Sequence, residues 1–115
     1  MSQLVILQTQ DLLIEFNQTI YGLSDLSIED KDIISVALMC TTYSPNDVDD
    51  YRDVLIGKYI STLALNVSES ETLHGAILKL VLEFQLRLQR SGHETVGKTI
   101  ELDHVIEDDI FVKIG

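Results

Sequence analysis

Residues 68–92, SESETLHGAILKLVLEFQLRLQRSG, form the most strongly apolar stretch of the chain, and the fold prediction starts from them. The segment opens with Ser68 and Glu71, which fit the capping box that satisfies free backbone amides at a helix N-terminus. Gly92 can end the helix because glycine adopts the left-handed conformation without strain. The sequence therefore predicts a helix from Ser68 to Gly92.

Two apolar stripes run along this predicted helix. The first has the spacing of a buried helical face and consists of Leu73, Ile77, Leu80, Val81, Phe84 and Leu88. The second consists of Leu78, Leu82 and Leu86. Apolar residues over 78–89 also alternate as in a strand, but Val81 is the only β-branched residue there, which favours a helix. Two stripes indicate a helix contacted from two sides, as at the centre of a small bundle.

The chain before this segment divides into three further predicted helices. The first covers residues 3–21, although residues 4–7 could instead form a short strand, with Thr9 starting a later helix. The second covers residues 27–43, with a serine at its N-cap. The third covers residues 44–66 and opens with a Ser-Pro pair, which is a strong start signal. Short connections between helices predict antiparallel neighbours.

The last part of the chain has the pattern of strands. Apolar and polar residues alternate over 99–104 and again over 110–114, and acidic residues separate the two runs. We therefore predict a single domain, residues 1–115, that is mainly α-helical: about four antiparallel helices with a short C-terminal β-hairpin or strand. If residues 3–8 form a strand, the fold is α+β instead.

Composition limits the class of protein. The chain has 115 residues, enough for a core without disulfide bonds, and its 45% hydrophobic content is too high for a disordered chain. No apolar run approaches the roughly 20 residues of a membrane span. The first residues lack the positive charge of a secretory signal, and the single cysteine, Cys40, fits a reducing compartment. We expect a cytoplasmic protein.

A possible phosphate-binding motif does not fit its surroundings. The run from Gly92 to Thr99, GHETVGKT, matches the pattern G-x-x-x-x-G-K-[ST]. In a working P-loop a strand precedes the glycines and a helix follows them, whereas here a predicted helix precedes and a predicted strand follows. Too few residues remain after Thr99 for the parallel sheet of such a protein. We interpret the run as a helix end and a loop.

Metal sites also find no support in the sequence. Counted from Asp47, the sixth and twelfth positions of a calcium loop would be Arg52 and Lys58 instead of glycine and glutamate. The three histidines have no metal-ligand spacing; they are His74, His93 and His104. We predict no catalytic residue, no cofactor and no metal, and do not expect an enzyme.

Negative charge is the outstanding global feature. Nineteen acidic and eight basic residues give a net charge of −11, which argues against direct binding of nucleic acid or of an anionic membrane. The same charge favours association with a basic protein. Between residues 25 and 53 there are eight acids and two bases, and residues 101–109 hold five acids and no base.

In size, acidity and lack of a catalytic motif, the chain is similar to bacterial immunity proteins, the cytosolic inhibitors that neutralise a toxin, often a basic nuclease. The clustered acids and the tyrosines among them predict an acidic docking surface with tyrosine anchors. The predicted partner-binding residues are Tyr43, Asp47, Asp49, Asp50, Tyr51, Asp53, Glu101, Asp103, Glu107, Asp108 and Asp109. The alternative is a structural or regulatory subunit that forms a homodimer through the second leucine stripe.

Overall fold

A computed structural model describes residues 3–23, 28–43 and 51–115. In order, its elements are β1 (Gln3–Gln8), α1 (Gln10–Thr19), α2 (Asp30–Cys40), α3 (Tyr51–Ser61), α4 (Val67–Arg90), β2 (Ile100–Ile106) and β3 (Asp109–Ile114). The strands form an antiparallel sheet in the order β1-β3-β2. Across the described residues the fold is therefore α+β, and the prediction of a mainly α-helical bundle with a short hairpin is wrong.

The error arises at the N-terminus, where the predicted helix over residues 3–21 is a strand followed by a helix. Residues 4–7 pair with β3, which is about a hundred residues away in sequence. Thr9 occupies the N-cap position of α1, but its side chain makes no capping bond. Its Oγ1 instead donates to the carbonyl of Asp108 at 3.1 Å, which ties the start of α1 to the turn between β2 and β3.

The helix predicted from residues 68–92 is α4, and it begins slightly earlier than expected. Asn66 is the N-cap: the amide of Glu69 donates to Asn66 Oδ1 at 2.8 Å, and the amide of Asn66 donates to Glu69 Oε1 at 3.1 Å. Ser68 therefore lies inside the first turn, and its predicted capping role is wrong. Gly92 follows the helix with φ +86°, as the end signal predicted.

The core lies between the helices and one face of the sheet. α4 is the central helix because α1, α2 and α3 all pack against it, while α2 also packs against β2. Every residue of the first apolar stripe is buried, as predicted. The sheet contributes its own buried residues, which are Val5, Leu7, Ile100, Ile110, Val112 and Ile114. The second stripe is less covered: Leu78 is half-buried, and Leu82 and Leu86 are exposed.

The two middle helices are shorter than predicted at their C-terminal ends. α2 ends at Cys40, and the hydroxyl of Thr41 then donates to the Leu38 carbonyl at 2.6 Å. α3 ends at Ser61, and the hydroxyl of Thr62 donates to the Tyr59 carbonyl at 2.6 Å. The same two carbonyls also accept the backbone amides of Thr41 and Thr62, so each helix closes with a tightened last turn. The predicted start signals of these helices, at residues 27 and 44–45, lie outside the described residues.

The two C-terminal runs form a hairpin. Ile106 pairs with Asp109, so the turn consists of Glu107 and Asp108, and Glu107 adopts φ +54°. A positive φ is uncommon for a residue other than glycine. The pairing register shifts between Leu102 and His104, which is the position of a β-bulge. This bulge decides which residues of β2 share a face with β3.

Candidate functional site

The sheet has a second face, which points away from the helices. Directly opposed residues of antiparallel strands lie on the same face, so the register defines its three rows. The central row is Ile6, Phe111 and His104. The flanking rows are Leu4, Lys113 and Glu101 at one end, and Gln8, Asp109 and Ile106 at the other. We call Leu4, Ile6, His104, Ile106 and Phe111 the outer sheet face.

This outer sheet face is largely apolar and open to solvent. Leu4 is 55% exposed, Ile6 56% and Ile106 54%, and Phe111 between the edge strands is half-buried. Single exposed apolar residues are normal on protein surfaces, but adjoining ones often mark an interaction site. The face is therefore the strongest candidate for a binding surface in the described part of the chain.

The sequence of β1 supports the same interpretation. Its residues 4–7 are apolar without interruption, a pattern typical of strands that are covered on both faces. Val5 and Leu7 are buried against the helices, whereas Leu4 and Ile6 point to the other side and remain exposed. Within the described residues, β1 is thus covered on only one of its two apolar faces.

A polar cluster borders the centre of the face. The rings of His104 and Phe111 stack with centroids 4.2 Å apart and planes 11° from parallel. Asp103, at the bulge, places Oδ2 2.5 Å from His104 Nδ1 and Oδ1 3.2 Å from Lys113 Nζ. Hydrogen bonds from His104 and Lys113 lower the pKa of Asp103 below its ordinary value. Asp103 is therefore ionised at neutral pH and fixes a negative charge beside the apolar residues.

The five predicted C-terminal acids all lie on or beside this face. Glu101 and Asp103 lie at the end marked by Lys113. Glu107 and Asp108 form the exposed turn at the opposite end, and Asp109 shares the outer row of Ile106. The structure thus brings these acids together around an apolar centre, an arrangement that resembles the core and rim of protein interfaces.

The other predicted residues that the structure describes lie away from this face. Tyr43 and Tyr51 stack with ring centroids 5.6 Å apart, and Asp53 Oδ1 lies 2.7 Å from His74 Nε2. Asp53 is on α3, which packs on α2 and α4 and belongs to the helical layer. The other three predicted acids, Asp47, Asp49 and Asp50, lie outside the described residues.

The apolar centre of the site was not predicted from the sequence. Leu4 and Ile6 were assigned to a helix, and Phe111 and Ile106 were not singled out. One signal was present: in β3, Phe111 occupies the phase of the polar residues Asp109 and Lys113 rather than that of the buried ones. A large apolar residue on the polar face of a strand indicates that this face is also used.

Other features of the described residues give weaker support for a binding or catalytic site. A groove of about 400 Å³ between α1 and α4 is bridged by the Lys79–Glu15 ion pair, but its buried lining residues are all apolar and would not orient a ligand. In the run from Gly92 to Thr99, the amide of Gly97 donates to the Thr42 carbonyl at 2.9 Å, and this bond stabilises the fold. Among the described residues no group of three or more acidic, histidine or cysteine side chains could hold a metal ion.

Comparisons with protein-family models, with curated proteins and with solved structures found no match for this chain. In the part of the chain that the structure describes, no helix combines the length and apolar character needed to cross a membrane. Any functional assignment therefore depends on the geometry and charge of the outer sheet face.

Proposed function

We propose that this chain is a non-catalytic binding protein that contacts a basic protein partner through the outer sheet face. The observation that carries the proposal is the apolar, solvent-exposed centre formed by Leu4, Ile6, Ile106 and Phe111 with acidic residues at both ends. Burial of a complete leucine or isoleucine side chain contributes about 1.5–3 kcal/mol. Because Leu4, Ile6 and Ile106 are each about half exposed, covering them would contribute roughly 1 kcal/mol per residue.

Charge favours a basic partner over an acidic or neutral one. The chain has a net charge of −11, and residues 101–109 hold five acids and no lysine or arginine. Lys113 is the one lysine or arginine in the outer rows, and it already forms an ion pair with Asp103. Complementary charge at the rim would accelerate association, and the apolar centre would hold the complex.

The most specific form of the proposal is an inhibitor of the immunity or antitoxin type. Enzymes that act on nucleic acid line their substrate clefts with lysine and arginine. An acidic surface with an apolar centre is suited to cover such a cleft and to exclude its polyanionic substrate. We therefore propose a basic toxin, such as a nuclease, as the partner class.

The test is affinity capture from the native cell lysate with a matched pair of variants. Ile106→Lys places a cation on the face, and Ile14→Lys places the same charge on α1, where Ile14 is 51% exposed. We expect one basic protein to be retained by the native chain and by Ile14→Lys at about 50 mM salt, and to be lost with Ile106→Lys and at several hundred mM salt. Equal retention by both variants would contradict the proposed surface.

A separate activity measurement tests whether the chain inhibits its partner. The captured protein is assayed for nuclease activity with and without a saturating amount of this chain. Loss of the activity is the expected result, because the chain would occupy the substrate cleft. Unchanged activity in a saturated complex would refute inhibition while leaving the binding surface intact.

Charge reversal identifies the acidic group that meets the partner. Asp108→Lys alters the turn beside the sheet face, and Asp53→Lys alters the helical layer, with the same change in net charge. We expect the first to weaken binding at least tenfold. A loss with Asp53→Lys alone would move the site to the group around Tyr43 and Tyr51.

A second candidate function is a structural subunit that forms a homo-oligomer through α4. Leu82 and Leu86 favour it, because they are 49% and 39% exposed on the second leucine stripe. Light scattering of the native chain and of Leu82→Lys tests this candidate. An oligomer that dissociates with Leu82→Lys would support it, and an oligomer that this change leaves intact would exclude the stripe.

A further inference from the structure

The two edges of the described sheet differ in how they are protected against pairing with another strand. Native edge strands carry charged residues, proline or bulges that prevent such pairing. The β2 edge has a bulge together with Glu101 and Asp103. The β1 edge, with the sequence QLVILQ, has no charge, no proline and an uninterrupted register. Within the residues that the structure describes, the β1 edge is therefore open to pairing.

Hydrogen bonds show which backbone groups of β1 point outward. The amide of Thr9 donates to the Asp108 carbonyl at 3.2 Å, so the odd-numbered residues bond to β3 in the alternating antiparallel pattern. The even-numbered Gln8 points its carbonyl the other way, where it accepts a bond from Arg87 Nη1 at 2.9 Å. By the same alternation, the N–H and C=O groups of Leu4 and Ile6 point to the open edge.

We propose that two copies of this chain pair antiparallel through their β1 edges. A twofold axis perpendicular to the sheet passes beside Val5, so that Leu4 of each copy lies opposite Ile6 of the other. Each of these two pairs exchanges two backbone hydrogen bonds, which uses all four outward groups of Leu4 and Ile6. The result is a continuous six-stranded sheet.

Symmetry and the position of Arg87 limit the possible registers and are compatible with this one. A twofold axis perpendicular to the sheet maps the outer face onto the outer face, so the opposed residues must both be even-numbered or both odd-numbered. An axis at Ile6 would place Leu4 opposite Gln8, whose carbonyl is already bonded to Arg87. The axis at Val5 leaves that bond intact.

The uncharged character of β1 favours a second copy as the occupant. Two chains that each carry a net charge of −11 repel one another over most of their surfaces, and an edge of six uncharged residues reduces this repulsion at the contact. Leu4 and Ile6 of both copies would also form one apolar cluster across the new strand pair. This inference is independent of the proposed partner, because the outer sheet face stays accessible in such a dimer.

Mass measurement with an edge-specific variant tests the pairing. A dimer of two 12.9 kDa chains has a mass of 25.8 kDa. Leu4→Pro removes an outward N–H but no bond to β3, and proline is tolerated on edge strands at such positions. By light scattering we expect the native chain and Leu82→Lys at the dimer mass, and Leu4→Pro at the monomer mass. Circular dichroism of Leu4→Pro verifies that the fold is kept.

Disulfide trapping tests the register without proline. In a Cys40→Ala background, Val5→Cys places one thiol opposite its own copy in a non-hydrogen-bonded pair, where Cα atoms about 4.5 Å apart permit a disulfide. Leu7→Cys is the matched control, because Leu7 also points inward but would oppose Gln3 of the second copy. We expect covalent dimers on a non-reducing gel for Val5→Cys only.

Two outcomes would overturn the inference. One is a native chain that stays monomeric at about 1 mM, with no disulfide trapped at Val5→Cys. The other is a dimer that survives Leu4→Pro and dissociates with Leu82→Lys, which would assign self-association to α4. An extended peptide of a different protein as the occupant would also leave the native chain monomeric.

Discussion

The assignment of β1 makes a sharp prediction for two neighbouring residues. Leu7 is 5% exposed and faces the helices, whereas Ile6 is 56% exposed on the outer sheet face. Each is truncated to alanine, and the free energy of unfolding is compared with that of the native chain. We expect Leu7→Ala to be much the more destabilising of the two, because it alone leaves a cavity in the core.

The magnitudes follow from burial. Leucine-to-alanine changes in a core cost about 2–5 kcal/mol, and about 3 kcal/mol is expected for Leu7. At Ile6 less than half of the transfer free energy is lost, no cavity forms and strand propensity falls slightly, so the expected loss is about 1 kcal/mol. For a chain of 115 residues, these losses correspond to decreases in Tm of about 12 °C and about 4 °C.

The assay is urea unfolding followed by circular dichroism, with thermal melts alongside. All chains are measured at one low protein concentration, because dimerisation would add a concentration-dependent term to stability. A loss for Ile6→Ala that equals or exceeds that for Leu7→Ala would refute the orientation of β1 and with it the outer sheet face.

Three further predictions concern local features. Asn66→Ala removes the capping box and should lower the free energy of unfolding by about 1 kcal/mol in urea titrations, with no change in the far-ultraviolet spectrum at native conditions. Gly57→Ala should raise it by about 0.5–1 kcal/mol, because the added Cβ has no neighbour within 4 Å and alanine favours a helix; a loss would contradict the open space there. A hydrogen bond from Arg87 lowers the pKa of Asp11 below its ordinary value of 3.8. The ion pair therefore stabilises the fold fully above pH 3.8, and this stabilisation is lost as the pH falls through the lowered pKa of Asp11. The stability difference between the native chain and Asp11→Asn should therefore disappear in acid, and a difference that grows there would contradict the ion pair.

The helical core could be predicted from the sequence because its signals are local. The stripe from Leu73 to Leu88 repeats at helical spacing over four turns, and Gly92 marks its end. The first residue of α4 was harder to predict, because two overlapping pairs of residues fit a capping box. The pair Asn66 and Glu69 forms it, two residues before the pair that was predicted.

The sheet was harder to predict because its decisive pairing is not local. A run of four apolar residues fits either a buried strand or a buried helical turn, and only contact with β3 decides between them. The acidic residues beside the outer sheet face could be singled out from composition, since residues 101–109 hold five acids, and their role in binding stays a prediction. The apolar centre was not found, because Leu4 and Ile6 become neighbours of Phe111 and Ile106 only after β1 joins the hairpin.

Site-specific photo-crosslinking in the native cell tests the binding surface most directly. A photoreactive phenylalanine analogue replaces Ile106 on the outer sheet face or, as the matched control, Ile14 on α1, which is similarly exposed. Ile106 lies on β2, so the result does not depend on pairing through the β1 edge. The proposal predicts a covalent adduct with one basic protein from position 106 and not from position 14. The same adducts from both positions, or an adduct from position 14 alone, would contradict a binding role for the sheet face.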